Sequence, residues 1–534
     1  MTVPVVSAAQ ASARDRAAID AGVPSRALMQ RAGAAAAAEI ARHFGDRMAR
    51  GVAVFAGAGN NGGDAWVVAA ALAAIGVRAR VAQVGEPKTD DARAERTSAR
   101  AVIDREEPTG AEDVVVDGVL GTGASGAPRG AARDAIQRIR TLKAGGAAIA
   151  ALDIPSGVDA STGDASQAVT ADLTITFGTM KRGLLVARAY CGHIVVVDIG
   201  LGGHASGTDR APPLVDHGWV RERIPPIAAD AHKGTRRRIA IMGGAPGMAG
   251  AAILAARAAL RSGVGMARVI VDPASLDAVQ SSVPAALARA WPVSEHDIRD
   301  GITDWAHALV IGPGLGRGSE SRERVERVLS LWRGPVVLDA DALTVFTGHT
   351  DALGALLHGR KALITPHVVE FARLADTSAD TVLADRFETG RAVAERLRCV
   401  VLLKGVPTVL HAPDGASVVV ASGSPVLATG GSGDLLAGIA GTLLAQMDDP
   451  LEAAACAAWM HGRASELAGT GLAGAARRYR SRGYGTHTRP AIRGVTLDDV
   501  VSALARVWSM SPEPRRPPVL AELPAVGDPP SDPS

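Results

Sequence analysis

Short aliphatic runs rich in Val, Ile and Leu alternate with alanine-rich stretches along most of this 534-residue chain. That alternation constrains the fold more than any other feature. Strands covered on both faces read as continuous apolar runs, and helices fit between them, so the pattern is that of βαβ units building parallel sheets. In the first half, strands are expected over Gly51–Ala56, Val77–Val84, Asp113–Val119, Ala147–Leu152, Asp172–Phe177 and His193–Ile199, with helices at Ala65–Ile75 and Ala132–Leu142. Between Gly200 and Lys233 the rhythm breaks into Gly, His, Asp and Pro, which reads as a connection between two domains. A second series follows: strands Arg238–Met242, Ala267–Val271, Ala308–Gly312, Pro335–Leu338, Ala362–Thr365 and Val400–Leu403, a helix over Gly250–Ser262, and long helices from Gly433 onward. Residues 511–534 hold eight prolines in 24 positions with almost no periodicity, and a disordered tail is expected there.

Composition removes several classes of function. Aromatics are 3% and Lys+Arg 57 against Asp+Glu 55 leaves a net charge of +2, so neither a stacking surface nor a field for nucleic acid is expected. Cys191, Cys399 and Cys456 lie far apart, which argues against a disulfide framework and a thiolate zinc site. No signal peptide opens the chain and no uninterrupted apolar run is long enough for a membrane span, so a cytoplasmic enzyme acting on small molecules is expected. A basic stretch, Gly474–Gly494, reads as a mobile insertion rather than an RNA site.

The first half carries three polar loops at strand ends. Gly57-Ala58-Gly59-Asn60-Asn61-Gly62-Gly63-Asp64 follows a strand and opens a helix, so its backbone N–H groups and the helix dipole suit a phosphate. Asp64 as a plain helix N-cap is the structural alternative. Asp117 precedes Gly118-Val119-Leu120-Gly121-Thr122-Gly123, and Asp153-Ile154-Pro155-Ser156-Gly157 closes another strand. Ligands of open α/β sheets bind beyond the carboxyl ends of strands, where such loops converge. Together with LMQRAG (Leu28–Gly33), TITFGTMKRGLL (Thr174–Leu185) and IVVVDIGL (Ile194–Leu201), these motifs resemble the N-terminal domain of the NAD(P)H-hydrate repair proteins, over about residues 10–205. The resemblance implies an epimerase interconverting R and S hydrates. It places Asn60, Asn61, Gly62, Gly63, Asp64, Gly121, Thr122, Gly123, Ala124, Ser125, Gly126 and Ala127 on the substrate, and Asn61, Asp117 and Ser156 on a potassium ion. Asp153 becomes the substrate-contacting acid/base candidate. Ala65 departs from the family, which usually has another glycine there.

In the second half, Thr429-Gly430-Gly431-Ser432-Gly433-Asp434 runs directly into an apolar helix, a pattern that builds an anion hole from main-chain amides. Asp434 is placed to take a proton from a hydroxyl, with an N-cap as the alternative reading. Lys404-Gly405-Val406-Pro407-Thr408 follows a strand and offers a point charge for phosphates or a merely solvated lysine. His367 is by default a helix cap, and Asp339 and Asp341 either assist Mg²⁺ or cap a helix. With HKG (His232–Gly234), GMAGAAILAARAALRSGVG (Gly247–Gly265), GPGLG, LDADAL, TPHVVEFARL, LLKGVPTVL and WMHG (Trp459–Gly462), this half resembles the ribokinase-like dehydratase domain of the same proteins over about 228–470. Carried over, Ala252, Gly316 and His367 contact the hydrated nucleotide, and Lys404, Gly405, Val406, Pro407, Thr408 and Gly433 bind the adenine nucleotide. Asp434 acts at the reacting hydroxyl. Arg236, Arg237 and Arg238 depart from the family, which usually returns to a glycine before the strand.

The expected architecture is therefore α/β with two three-layer αβα domains: a Rossmann-like epimerase over 1–215, a ribokinase-like dehydratase over 216–510, and the tail. The resemblance implies K⁺ at the first site and Mg²⁺ with ADP at the second, in a homo-oligomeric cytoplasmic enzyme. A competing reading makes the chain a small-molecule, vitamin-precursor kinase whose first half only binds.

Overall fold

The structure, a computed structural model, describes residues 2–104, 106–204, 210–477, 492–509 and 516–527. The described chain forms two compact units, one of residues 2–214 with 516–527 and one of residues 215–477 with 492–509. Most of the stretch 474–494, expected as a mobile insertion, lies outside the described residues.

The first unit is built on a seven-stranded sheet. Its order is Val519–Leu523, His193–Val197, Leu173–Phe177, Ala148–Leu152, Val114–Gly118, Val52–Ala56, Ala79–Gln83. Every pairing is parallel except that of Val519–Leu523, which runs antiparallel to His193–Val197. Alternate residues of one strand serve opposite cores, as strand geometry requires. Val52 and Val54 pack with Trp66 and Ile40 of the helices Asn60–Ala74 and Ser25–Phe44, whereas Ala53 and Phe55 pack with Ile136 and Ile139 of the helix Gly130–Ala144. A separate two-stranded ladder pairs Val5–Val6 with Met180–Lys181.

One expectation is overturned here. The proline-rich tail is not wholly disordered: Val519–Leu523 completes the sheet edge, and Asp198 N–H donates to Pro518 O at 2.7 Å. Arg516 anchors its start, pairing with buried Glu39 and with Glu522 at 2.6 Å. Prolines at 517, 518 and 524 bracket five residues that supply the ladder, as suits an edge strand.

The second unit holds a nine-stranded sheet ordered Leu287–Ala290, Met266–Val271, Arg238–Met242, Ala308–Ile311, Val336–Leu338, Ala362–Ile364, Val400–Leu403, Thr408–His411, Ser417–Val420. The first seven are parallel and the last two form an antiparallel hairpin extension. Ile239 and Ile241 face one core with the helices Ala249–Arg261, Ser432–Gln446 and Pro450–Arg477, while Ala240 and Met242 face the other. The helix Ser432–Gln446 lies unusually close to its neighbours. A Cβ added at Gly438 would meet Ala255 O at 2.0 Å, so only glycine lets these two helices approach. The arginine run tolerates the lost glycine because Arg237 itself takes φ +68°, and the strand starts at Arg238.

Candidate active sites

In the first unit the strand Val52–Ala56 leads outward to Ala79–Gln83, after which the chain returns to the other side of Val52–Ala56 as Val114–Gly118. That reversal opens a crevice at the strand C-termini. The three expected loops meet there. Ser156 N–H and Oγ donate to the two Asp117 oxygens at 2.8 and 2.6 Å, Leu120 N–H donates to Ser156 Oγ at 2.8 Å, and Asn61 Nδ2 donates to Leu120 O at 2.8 Å. The glycine loop is folded so tightly that a Cβ on Gly62 would lie 1.8 Å from Gly57 O. Ala65 is accommodated wholly buried, its methyl against Gly118.

The helix begins at Asn60 with Gly59 as its cap, so Asp64 is not an N-cap. It is a buried fifth residue of the helix. Burial, then the neighbouring Asp153 and Asp15 carboxylates, push its pKa well above the usual carboxylate range, with Lys181 pulling the other way. Asp117 is wholly buried and pushed up to about 6, against the hydrogen bonds from Ser156 and Val119. Asn61 Oδ1 is buried without a hydrogen-bond partner.

Asp153 differs from both. Burial acts to raise its pKa, but the ammonium of Lys181 and the donors of Thr122 outweigh it and hold the carboxyl below its ordinary value. Lys181 Nζ lies 2.6 Å from Asp153 Oδ1, Thr122 N–H donates to Oδ2 at 3.1 Å, and the Thr122 hydroxyl donates to the same oxygen. Lys181 is a site residue that the reading of the strand ends did not single out. Its only sequence signal was a basic residue three positions after the glycine in TFGTMKRGLL. Of the remaining loop residues, Asn60 accepts from Thr89 Oγ1 at 2.9 Å, Gly121 and Ala124 close a turn at 3.0 Å, and Gly123, Ser125, Gly126 and Ala127 are exposed. Gly63 packs on Met29.

The second unit repeats the reversal, with Ala308–Ile311 returning beside Arg238–Met242. The two glycine turns there are stitched together by Gly244 N–H to Pro313 O at 2.9 Å and Ala245 N–H to Gly314 O at 2.7 Å. Gly316 N–H donates to Asp341 Oδ2 at 3.0 Å. Ala252 has no exposed surface and packs behind Gly244. His367 is the helix cap that its position suggested: Nδ1 accepts from Val369 and Glu370 N–H, and His367 N–H donates to the Glu370 carboxylate.

Asp434 is the third residue of its helix and makes no cap; Gly431, at φ +94°, occupies that position. Burial first, then Asp339, push its pKa up to about 7; Lys404 pulls it down, and Asp341 and Glu370 add to the rise. Lys404 is not a free solvated lysine. Its Nζ lies 2.9 Å from Asp339 Oδ1, which also accepts from Thr365 Oγ1 at 2.8 Å. Gly433 brings the two motifs together, since a Cβ there would lie 3.3 Å from Lys404 Nζ and 3.6 Å from Asp339 Oδ2. Gly405, Val406 and Pro407 form the hairpin turn beside it, Thr408 opens the next strand, and the Val406 carbonyl accepts from Arg386. His461, in WMHG, is buried, with its pKa pushed down to about 4 by burial and by Lys404.

Two family models match, one described as YjeF-related protein N-terminus over residues 25–183 and one as NAD(P)H-hydrate dehydratase over residues 239–473. A bifunctional NAD(P)H-hydrate repair enzyme of Salinibacter ruber is 35% identical over 522 residues, covering 87% of this chain and 92% of its own. One of Moorella thermoacetica is 33% identical over 498 residues, with the same coverage.

The chain belongs to the bifunctional NAD(P)H-hydrate repair enzyme family.

The ADP/ATP-dependent NAD(P)H-hydrate dehydratase of Bacillus subtilis, crystallised with ATP and Mg²⁺, is 27% identical, with a TM-score of 0.47, over 55% of this chain and 96% of its own. Within the repair family frame, each unit here places one carboxylate–lysine site at the C-terminal ends of its parallel strands. Among the described residues no group of three His, Cys, Asp or Glu side chains forms a metal cage, and no helix is long and apolar enough to cross a membrane.

Proposed function

We propose that the chain is a bifunctional nicotinamide-nucleotide repair enzyme: it interconverts the R and S hydrates of NADH and NADPH, and it dehydrates the S form with ADP. The observation that carries the reading is the presence, on one chain of this family, of two distinct acid sites, each at a sheet reversal.

Hydration leaves a hydroxyl on C6 of the nicotinamide ring, and hydroxide is a poor leaving group. In the second unit, Asp434 at a pKa of about 7 is suited to accept the proton of that hydroxyl as it attacks the β-phosphorus of ADP, which breaks the bond to the AMP oxygen. The main-chain amides of Gly430–Gly433 and the start of the helix offset the charge on the phosphoryl group. Loss of phosphate from C6, with the proton from C5, then restores the double bond. Lys404, held by Asp339, steadies phosphate oxygens. Asp339, Glu370 and Asp434 outnumber the one lysine they face, a donor set that fits a cation arriving with phosphates better than a resident one. Mg²⁺ would supply charge neutralisation there.

In the first unit, Asp153, held below its ordinary pKa, serves as the base or as the stabiliser of positive charge developing at C6, while Asp64, raised well above the usual carboxylate range, is the better placed of the two to hold a proton. Potassium fits by chemistry. The unpartnered Asn61 Oδ1 joins the Asp117 carboxylate and the Ser156 hydroxyl in an all-oxygen set, and the ion would fix the loops that flank the substrate. The three free, buried cysteines suit a reducing, cytoplasmic setting.

The test is incubation with mixed R and S hydrate and ADP, following the absorbance of regenerated NADH. Wild type should convert the whole mixture, Asp153→Asn should stall once the S form is consumed, and Asp434→Ala should convert none. A stable phosphorylated product in place of free phosphate would favour a simple kinase instead.

A further inference from the structure

The ammonium of Lys181 is buried, and its three hydrogens face three protein acceptors: Asp153 Oδ1 at 2.6 Å, Thr176 Oγ1 at 3.0 Å and Phe177 O at 3.0 Å. An ammonium has three donors and no acceptor, so none is left for a ligand. Asp153 is itself held in a strained conformation, φ +63°, with its N–H donating to Ile175 O at 2.7 Å. Its two oxygens have different surroundings. Oδ1 faces the protein interior through Lys181 and Thr176, whereas Oδ2 faces Thr122, in the loop Gly121–Ala127.

We infer that Lys181 is the positioning residue of the first site: it locks Asp153 Oδ1 in place, so that Oδ2 is the oxygen that works on substrate beside Thr122. This rests on the epimerase reading of that site.

The location of Lys181 supports such a role. It stands in the ladder Val5–Val6 with Met180–Lys181, outside the main sheet, and Met180 N–H donates to Pro4 O at 3.0 Å. The lysine therefore reaches Asp153 from a second, independently pinned piece of backbone. The other charged groups felt there are acids on two separate helices, Asp64 on Asn60–Ala74 and Asp15 on Ala8–Asp20, with Arg16 beside the latter. Lys181 is the cation bonded directly to Asp153.

The experiment is a kinetic double-mutant cycle on the full-length enzyme, measuring R-to-S interconversion for wild type, Lys181→Met, Asp153→Asn and the double variant. Lys181→Met should lower kcat about 100-fold, the scale of a misaimed catalytic group, with KM nearly unchanged because the lysine does not touch substrate. The double variant, which leaves no unpaired charge and so remains informative if Lys181→Met fails to fold, should match Asp153→Asn alone. An unchanged kcat in Lys181→Met, or losses that multiply in the double variant, would overturn the inference. Wild type that does not interconvert the hydrates would instead remove the epimerase reading.

Discussion

The two sites use the same parts, a carboxylate and a largely buried lysine where parallel strands end, and assemble them to opposite effect. In the first unit the lysine is bonded to Asp153 itself, and that carboxyl lies below its ordinary pKa. In the second the lysine is bonded to a neighbour, Asp339, and Asp434 is left near neutrality. One displacement of a positive charge accompanies the difference between a carboxyl held below its ordinary pKa and one raised to about 7. The lesson is that the partner of the lysine, rather than the presence of an Asp–Lys pair, decides what each carboxylate can do.

The strongest way to break this contrast is to delete each carboxylate. Asp434→Ala should lower NADH regeneration from the S hydrate by about 10³-fold while R-to-S interconversion proceeds, because general-base loss is of that order. Both reactions can be followed on one preparation, and equal loss of both would show that the sites are not independent.

A large structural effect is expected from Gly62→Ala, whose methyl has no room against Gly57 O. Overpacking of this kind costs about 1–3 kcal/mol, so the first unit should melt earlier while S-hydrate dehydration is retained, as read by thermal unfolding and assay together.

The pH dependence sharpens the comparison. Asp434 acts as a base only when ionised, so dehydration by the free enzyme should rise with pH through about 7. Lys404 pulls that pKa down, and Lys404→Met should therefore move the rising limb to higher pH, seen in kcat/KM profiles. A limb that stays in place would remove Lys404 from the electrostatics of the second site.

The smallest effect concerns the cation. Replacing choline chloride by KCl should raise the melting temperature of the first unit by a few degrees, and Asn61→Ala, which removes the unpartnered oxygen, should abolish that response. Equal melting in both salts for wild type would exclude potassium there.

Much of this was legible beforehand because buried parallel strands announce themselves. Arg238–Met242 and Val400–Leu403 begin and end where the apolar runs do, and the loops bearing Asn61, Asp117 and Ser156 meet as strand-end logic requires. Thr408–His411 and Ser417–Val420 were not assigned, since a hairpin following the lysine loop has no helix to punctuate it. Asp64 and Asp434 look like helix caps in a linear reading, yet in each case a glycine takes the cap and the acid enters the first turns. Lys181 escaped notice because its meaning lies in a long-range bond to Asp153, 28 positions earlier in the sequence.

The antiparallel strand Val519–Leu523 has a consequence for biosynthesis. It belongs to the first sheet, yet the ribosome must translate the whole second unit before that strand exists. Until then the rim at His193–Val197 has open amides and carbonyls, the kind of edge that invites mispairing between nascent chains. The second unit is in effect an insertion within the first, and a chain released short of residue 516 would carry its polar strand-end loops on a sheet whose last strand is missing.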